Sequence, residues 1–154
     1  MNESTVTMEL ARSGDATTLG FMSRDLVEAG LGWAWTPKRI GQCILADDTV
    51  VLVARSAAQI AGFAIMYFGP DEARLNLLAV HPEHRRRGIG RRLVKWLEKS
   101  AVTAGISVAY LEMRSSSTVA RHFYHALGYL PVETLPGYYQ RQETALRMAR
   151  DLWD

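Results

Sequence analysis

The chain has 154 residues, 48% of them hydrophobic and 22% charged, which suits one globular domain with a sizeable core and excludes a low-complexity or fibrous chain. Eighteen basic against sixteen acidic side chains leave a formal charge of +2, too small to argue for nucleic acid by itself. The lone cysteine, Cys43, cannot make an internal disulfide, and no signal-peptide or membrane-spanning apolar run is present, so the expected address is the cytoplasm, away from the membrane.

Residues 7–11 alternate like an edge strand, and Ser13, Gly14 and Asp15 offer capping groups for a first helix running to about Gly30. Residues 30–35 make an apolar loop whose Trp33 and Trp35 read either as packing anchors or as walls of a cleft. Thr36 and Pro37 cap and start a second helix ending near Leu45. Residues 49–55 and 60–68 are β-branched apolar runs around a Ser-Ala-Ala-Gln turn, a hairpin pattern, and residues 69–72 turn the chain into a strand over 75–80. A helix follows with Ile89, Leu93, Trp96, Leu97 and Ala101 on one face and Gly105 as its stop. A strand over 107–113, a helix marked by Val119, Phe123 and Leu127 and ended by Gly128, and strands near 129–134 and 143–152 complete the order. Strand, helix and strand across 75–113 form a parallel crossover, whereas the earlier strands are hairpin-connected, so the sheet is mixed.

Chemistry concentrates where the 75–80 strand meets its helix. Gly88 and Gly90 lack a Cβ, so backbone can approach a ligand there, and the free N–H groups and dipole of a helix N-terminus favour an anion. A phosphate is the expected guest. The spacing fits neither a mononucleotide P-loop, which needs Gly-Lys-Ser/Thr, nor the Gly-x-Gly-x-x-Gly of a dinucleotide fold. The arginines at 85, 86, 87, 91 and 92 read as a solvated helix start or as phosphate partners. His81 and His84 have no Cys or carboxylate company at ligand spacing, so no metal is expected.

The remaining pattern, Arg85-x-x-Gly88-x-Gly90 behind an apolar strand and Val80-His81-Pro82, resembles the pyrophosphate motif of the GNAT superfamily of N-acetyltransferases. Leu111-Glu112-Met113-Arg114, Ala120, Phe123-Tyr124 and Leu127-Gly128-Tyr129 resemble that family's second block. Gly137-Tyr138-Tyr139 with residues 143–148 is similar to the ending of its ribosomal-protein-alanine branch. The resemblance implies a single N-acetyltransferase domain over residues 1–154. Its fold class would be α/β: a mixed, mostly antiparallel sheet of about seven strands flanked by about four helices. A bulged, splayed strand would make a slot for the pantetheine arm of acetyl-CoA.

On that resemblance Leu78, Ala79 and Val80 meet the cofactor through backbone, and Arg85, Arg86, Arg87, Gly88, Ile89, Gly90 and Arg91 hold its pyrophosphate, mostly by main-chain N–H groups. Ser117 stands where the family usually has Asn, and caps the last helix with one donor left for pantetheine instead of two. Trp33, Trp35, Tyr138 and Tyr139 are expected to line the acceptor cleft.

An attacking amine must be neutral, yet a peptide α-amine has a pKa of about 7.7–8.0 and a lysine about 10.4, so deprotonation is needed, and the leaving thiolate needs a proton. Tyr124 is the candidate acid, although a tyrosine beside Phe123 is also ordinary packing. Glu112 is the candidate base, directly or through water, or instead an ion-pair partner of Arg114 or Arg121; Glu133 and Asn76 stand in reserve. The expected reaction is direct attack of a primary amine on acetyl-CoA, a protein N-terminus being the leading acceptor. A polyamine, amino acid or antibiotic is the alternative acceptor, and a non-catalytic acyl-CoA sensor an alternative role. A nucleic-acid module built on the arginines is a third reading, which a strongly salt-dependent affinity would mark, and a helix-turn-helix sits badly with so many strands; no nucleic-acid partner is expected. The oligomeric state is left open, a homodimer included.

Overall fold

The computed structural model describes residues 5–57, 59–139 and 143–154. Its strands are β1 (Thr7–Leu10), β2 (Thr49–Ser56), β3 (Gln59–Phe68), β4 (Ala73–Val80), β5 (Val108–Arg114), β6 (Leu130–Tyr139) and β7 (Glu143–Asp151), and its α-helices are α1 (Ala16–Met22), α2 (Pro37–Leu45), α3 (Ile89–Thr103) and α4 (Thr118–Ala126). They form one seven-stranded sheet in the order β1-β2-β3-β4-β5-β7-β6. Every neighbouring pair is antiparallel except β4 and β5, which the α3 crossover joins in parallel. This is the mixed α/β sheet expected from the sequence.

Alternate residues of β2 and β3 point to opposite faces and fill two cores. Leu52, Ala54, Ala64 and Met66 meet Ile89, Leu93, Val94, Leu97 and Ala101 of α3 on one side, with Ala120 and Phe123 of α4 packed against them. Val51, Val53, Phe63 and Ile65 meet Leu19 of α1 and Ile40 of α2 on the other. Trp96, expected on the apolar stripe of α3, is 38% exposed at its margin. Val94 takes the buried place instead, because the stripe follows the 3.6-residue period. Glu98 is the one carboxylate buried on α3, and it accepts from the Tyr129 hydroxyl at 2.8 Å and from Arg150 at 2.9 Å, which ties the helix to β7.

Helix ends follow their punctuation where glycine decides. Gly105, at φ +89°, lets the Ile106 N–H reach back to Ala101, and Gly128, at φ +100°, lets the Tyr129 N–H reach Tyr124. Two boundaries differ from the sequence reading. The first helix stops at Met22 and passes through a π turn, Ser23–Val27, in which the Glu28 N–H bonds to Ser23, short of Gly30. β6 runs past the expected end near Thr134 to Tyr139, through Pro136 and Gly137; as an edge strand it tolerates the donors missing at Pro131 and Pro136, and its register to β7 shifts between Pro131 and Glu133 and between Leu135 and Tyr139.

Candidate active site

β4 and β5 pair only at Ala73–Ala109, Arg74–Tyr110 and Leu75–Leu111, and then part. At the point of parting β4 carries a bulge. Ile65 of β3 opposes Leu77 while Met66 opposes Leu75, so Asn76 is an extra residue. The extra residue also reverses which face each side chain takes: Ala73 and Leu75 lie on the α3 side, as Leu78 and Val80 do beyond the bulge, while Leu77 and Ala79 face α1 and α2. Beyond Leu75 the β5-facing edge of β4 is unpaired, and a cleft of about 780 Å³ opens beside it. Its walls are Leu75–Leu78 of β4, Glu112–Arg114 of β5, Ser117, Ala120 and Tyr124 of α4, Tyr138 and Tyr139 of β6, and the loop between α1 and α2.

The glycine loop continues from this edge. Arg86 and Gly88 both take left-handed backbone, φ +66° and +75°, and Gly88 is the N-cap of α3 with no side chain supplying a cap. The first-turn N–H groups of a fifteen-residue helix therefore have no intrahelical or capping acceptor. A Cβ built on Gly88 meets nothing within 4 Å, so the space over the loop is open, as a phosphate requires. Gly90 does a different job: its Cβ position is 3.2 Å from Phe123 Cζ and 3.6 Å from Val80 Cγ2, so it lets α3, α4 and β4 close up. Ile89 is buried, leaving only its backbone for a ligand, and Arg85 donates from Nε to the Val80 carbonyl at 3.2 Å. Arg86, Arg87 and Arg91 are exposed around the loop, whereas Arg92 reaches across to the Val6 carbonyl at 3.0 Å.

Ser117 caps α4, its Oγ accepting from the Ala120 N–H at 3.2 Å, which leaves the hydroxyl proton to donate. Tyr124 sits edge-on to Phe123 and Tyr129, with ring centroids at 5.0 and 5.9 Å, and lines the cleft. Burial, with a smaller push from Tyr139, raises its phenol well above the usual tyrosine range, so the group stays protonated at neutral pH. Glu112 is paired, but with neither Arg114 nor Arg121: Oε2 takes Arg147 Nε at 2.7 Å and an Arg74 terminal nitrogen at 3.2 Å, and Oε1 faces the Tyr138 hydroxyl at 3.5 Å. Arg147 also binds Glu133, at 3.0 Å. Arg114 instead meets Glu143 at 3.3 Å and donates to the carbonyls of Val27 and Ala29, which fastens the α1–α2 loop to β5.

Of the four aromatics expected at the acceptor side, Trp35, Tyr138 and Tyr139 line the cleft. Trp33 does not. Its indole nitrogen donates to Gly20 O at 3.1 Å and its ring lies 5.4 Å from Phe21, so it packs on the outside of α1. Glu28 holds the loop from within, accepting from Ser23 Oγ at 2.8 Å and from the N–H groups of Ala34 and Trp35 at 2.7 and 3.1 Å. Sequence reading passed over Glu28, because a glutamate in a helical segment looks solvated until the π turn points it inward. Arg39, Arg74 and Arg147 were likewise missed, each being an isolated arginine in an ordinary amphipathic element. His122 and His125 are exposed, as expected of helix neighbours that point away from Tyr124. Among the described residues no group of three or more His, Cys, Asp or Glu side chains comes together, and no helix is long and apolar enough to cross a membrane.

A parted parallel pair ending in a glycine-bearing helix N-terminus is matched by sequence: residues 23–129 fit the Acetyltransferase (GNAT) family. The chain belongs to that family. The [Ribosomal protein bS18]-alanine N-acetyltransferase of Salmonella typhimurium is 37% identical over 94 residues, covering 59% of this GNAT chain and 64% of the relative, so the match takes in less than two thirds of that protein's length. The crystal structure of the ribosomal-protein-S18-alanine N-acetyltransferase from Escherichia coli superposes with a TM-score of 0.83 over 96% of this chain and 94% of that one, at 24% identity. The PaiA N-acetyltransferase of Thermoplasma acidophilum, solved in complex with coenzyme A, also reaches a TM-score of 0.83, at 19% identity over 96% of this chain and 99% of its own. Both show that the GNAT fold is shared.

Proposed function

We propose that this protein is an acetyl-CoA-dependent N-acetyltransferase that moves an acetyl group to a primary amine by direct attack. The observation that carries the reading is the unpaired β4 edge running straight into the open, uncapped start of α3. Such an edge offers hydrogen bonds to an extended, amide-bearing arm, and such a helix start offers them to a pyrophosphate. Acetyl-CoA fits because it carries both groups in one molecule, and Gly88 leaves the room a phosphate needs.

In this reading the amine nitrogen bonds to the acetyl carbonyl carbon and the carbon–sulfur bond breaks. The nitrogen loses one proton and the sulfur gains one, so nothing beyond proton transfer is required. Tyr124, kept neutral by burial, holds a proton for the leaving sulfur. Glu112 takes up the amine's proton through Oε1 and a water, since Oε2 is engaged by two guanidinium groups. Backbone N–H on the free β4 edge near Val80 supports the oxyanion. Trp35, Tyr138 and Tyr139 form the acceptor wall. A protein N-terminal α-amine is the proposed acceptor, supported by the similarity to [Ribosomal protein bS18]-alanine N-acetyltransferases and by a cleft open between the α1–α2 loop and β6.

The test is calorimetric titration with acetyl-CoA, with desulfo-CoA and ATP as controls, followed by thiol-release assays over N-terminal peptides and small amines. Micromolar binding of the CoA species, weak binding of ATP and amine-dependent thiol release are expected. Failure to bind either CoA species would remove the proposal.

A further inference from the structure

Among the described residues four charged side chains line the cleft: Glu28, Arg39, Glu112 and Arg114. Three are already matched within the protein. Glu28 is satisfied by Ser23 and two backbone N–H groups, Glu112 by two arginines, and Arg114 by Glu143 and two carbonyls. Arg39 is different. It is exposed, and its one polar contact among the described residues is the Ala34 carbonyl, 3.5 Å from a terminal nitrogen, at the outer limit for a hydrogen bond. What holds it is Trp35, whose ring centroid lies 3.7 Å from the guanidinium carbon. Contact with a ring face fixes a guanidinium without using its N–H donors, so the fork that suits a carboxylate stays available and has already lost much of its freedom.

We infer that Arg39, braced on Trp35, binds a carboxylate of the acceptor, so that the amine substrate carries an acidic group beside the amine to be acetylated. The inference rests on the acetyltransferase reading and narrows it to one class of acceptor. An all-cationic polyamine would meet Arg39 as a like charge. The carboxylate can come from an Asp or Glu side chain near a polypeptide N-terminus, or from the α-carboxyl of a free amino acid.

The test compares kcat/KM for acetyl transfer to matched N-terminal peptides with Asp or Asn, and Glu or Gln, at the second and third positions, and to free amino acids against their α-amides, with spermidine alongside. Wild type, Arg39→Gln and Arg39→Lys are measured. In parallel, fluorescence polarisation follows the same peptides, labelled at the C-terminus, binding to the CoA-saturated protein. With wild type the acidic member of at least one pair should be favoured about tenfold or more, as one charge-assisted hydrogen-bonded pair allows. In Arg39→Gln the ratio should fall to about one, and Arg39→Lys, charged but without the planar fork, should lie between. Preference within the peptide pairs assigns the carboxylate to a polypeptide side chain; preference for amino acids over their amides assigns it to the α-carboxyl. Equal treatment of acid and amide in every pair, or a preference that survives Arg39→Gln, overturns the inference. Should acetyl-CoA bind while no amine is turned over, the transferase reading fails, and the polarisation ratios still decide whether Arg39 selects a carboxylate.

Discussion

Gly88→Ala separates what the glycine loop does for the fold from what it does for a ligand. Gly88 has φ +75°, where an alanine costs roughly 1 kcal/mol. In a domain of this length that lowers the melting temperature by about 2–4 °C. A domain with roughly 5–15 kcal/mol of stability stays folded at 25 °C under that cost. The added methyl meets no protein atom within 4 Å, so it projects into the space assigned to phosphate. Displacing one charge-assisted N–H contact there costs about 1.5–3 kcal/mol, or roughly 10- to 150-fold in the Kd for CoA. Gly90→Ala is the contrast: its backbone is outside the left-handed region and its methyl presses on Phe123 at 3.2 Å, so stability carries its main effect. Calorimetry with CoA and thermal melts on the three proteins give both numbers. A Gly88→Ala protein that melts a few degrees lower yet binds CoA within twofold of wild type would show that the loop is not the pyrophosphate site.

Tyr124→Phe should leave CoA affinity in place and lower kcat about a hundredfold, the low end for a lost general acid; full turnover in single-turnover kinetics would withdraw the role. Burial raises the phenols of Tyr124, Tyr129 and Tyr139, and of Tyr138, above the usual tyrosine range, so the folded state disfavours phenolate. Stability from these groups is complete below about pH 10, the pKa of a free tyrosine, and drains away above it. The 295 nm absorbance step near pH 10 should therefore fall short of the six tyrosines present, with the remainder appearing as the protein unfolds; six ionising together in the folded protein would contradict the buried geometry. Deleting Asn76 should regularise β4 against β3 while leaving Leu75 and Leu77–Val80 on their present faces, so cooperative melting is retained and CoA binding is lost. Wild-type CoA affinity in the deletion protein would mean that the bulge does not open the cleft.

The elements of this fold were legible wherever one local rule governs them. Thr36 with Pro37, Gly105 and Gly128 mark helix ends by capping and left-handed backbone alone, and each does so in the structure. The glycine loop was legible for the same reason, since the left-handed backbone at Gly88 and the close packing of Gly90 on Phe123 both call for a residue without a Cβ. The walls of the cleft were legible only in part: Trp35, Tyr138 and Tyr139 line it as expected, and Trp33 does not. Trp33 and Trp35 are two residues apart in one loop, yet one lies against α1 and the other in the cleft, because Glu28 pins the backbone between them from a π turn that no residue pattern announces. Glu112 could be suspected, but its partners Arg74 and Arg147 lie 38 and 35 residues away, on strands that become neighbours only when the sheet is assembled.

The bulge joins these two kinds of information. In sequence, residues 75–80 are apolar apart from Asn76, and a single polar residue does not by itself announce a change of face. Yet the two cores require Leu75 on one side and Leu78 and Val80 on that same side, a spacing of three that a regular strand cannot give. Burying both leucines therefore forces an extra residue between them, and Asn76, polar and exposed, is the residue least costly to leave out of both cores. The same extra residue sits where β4 leaves β5. The packing of the two cores and the opening of the cleft are thus one structural event.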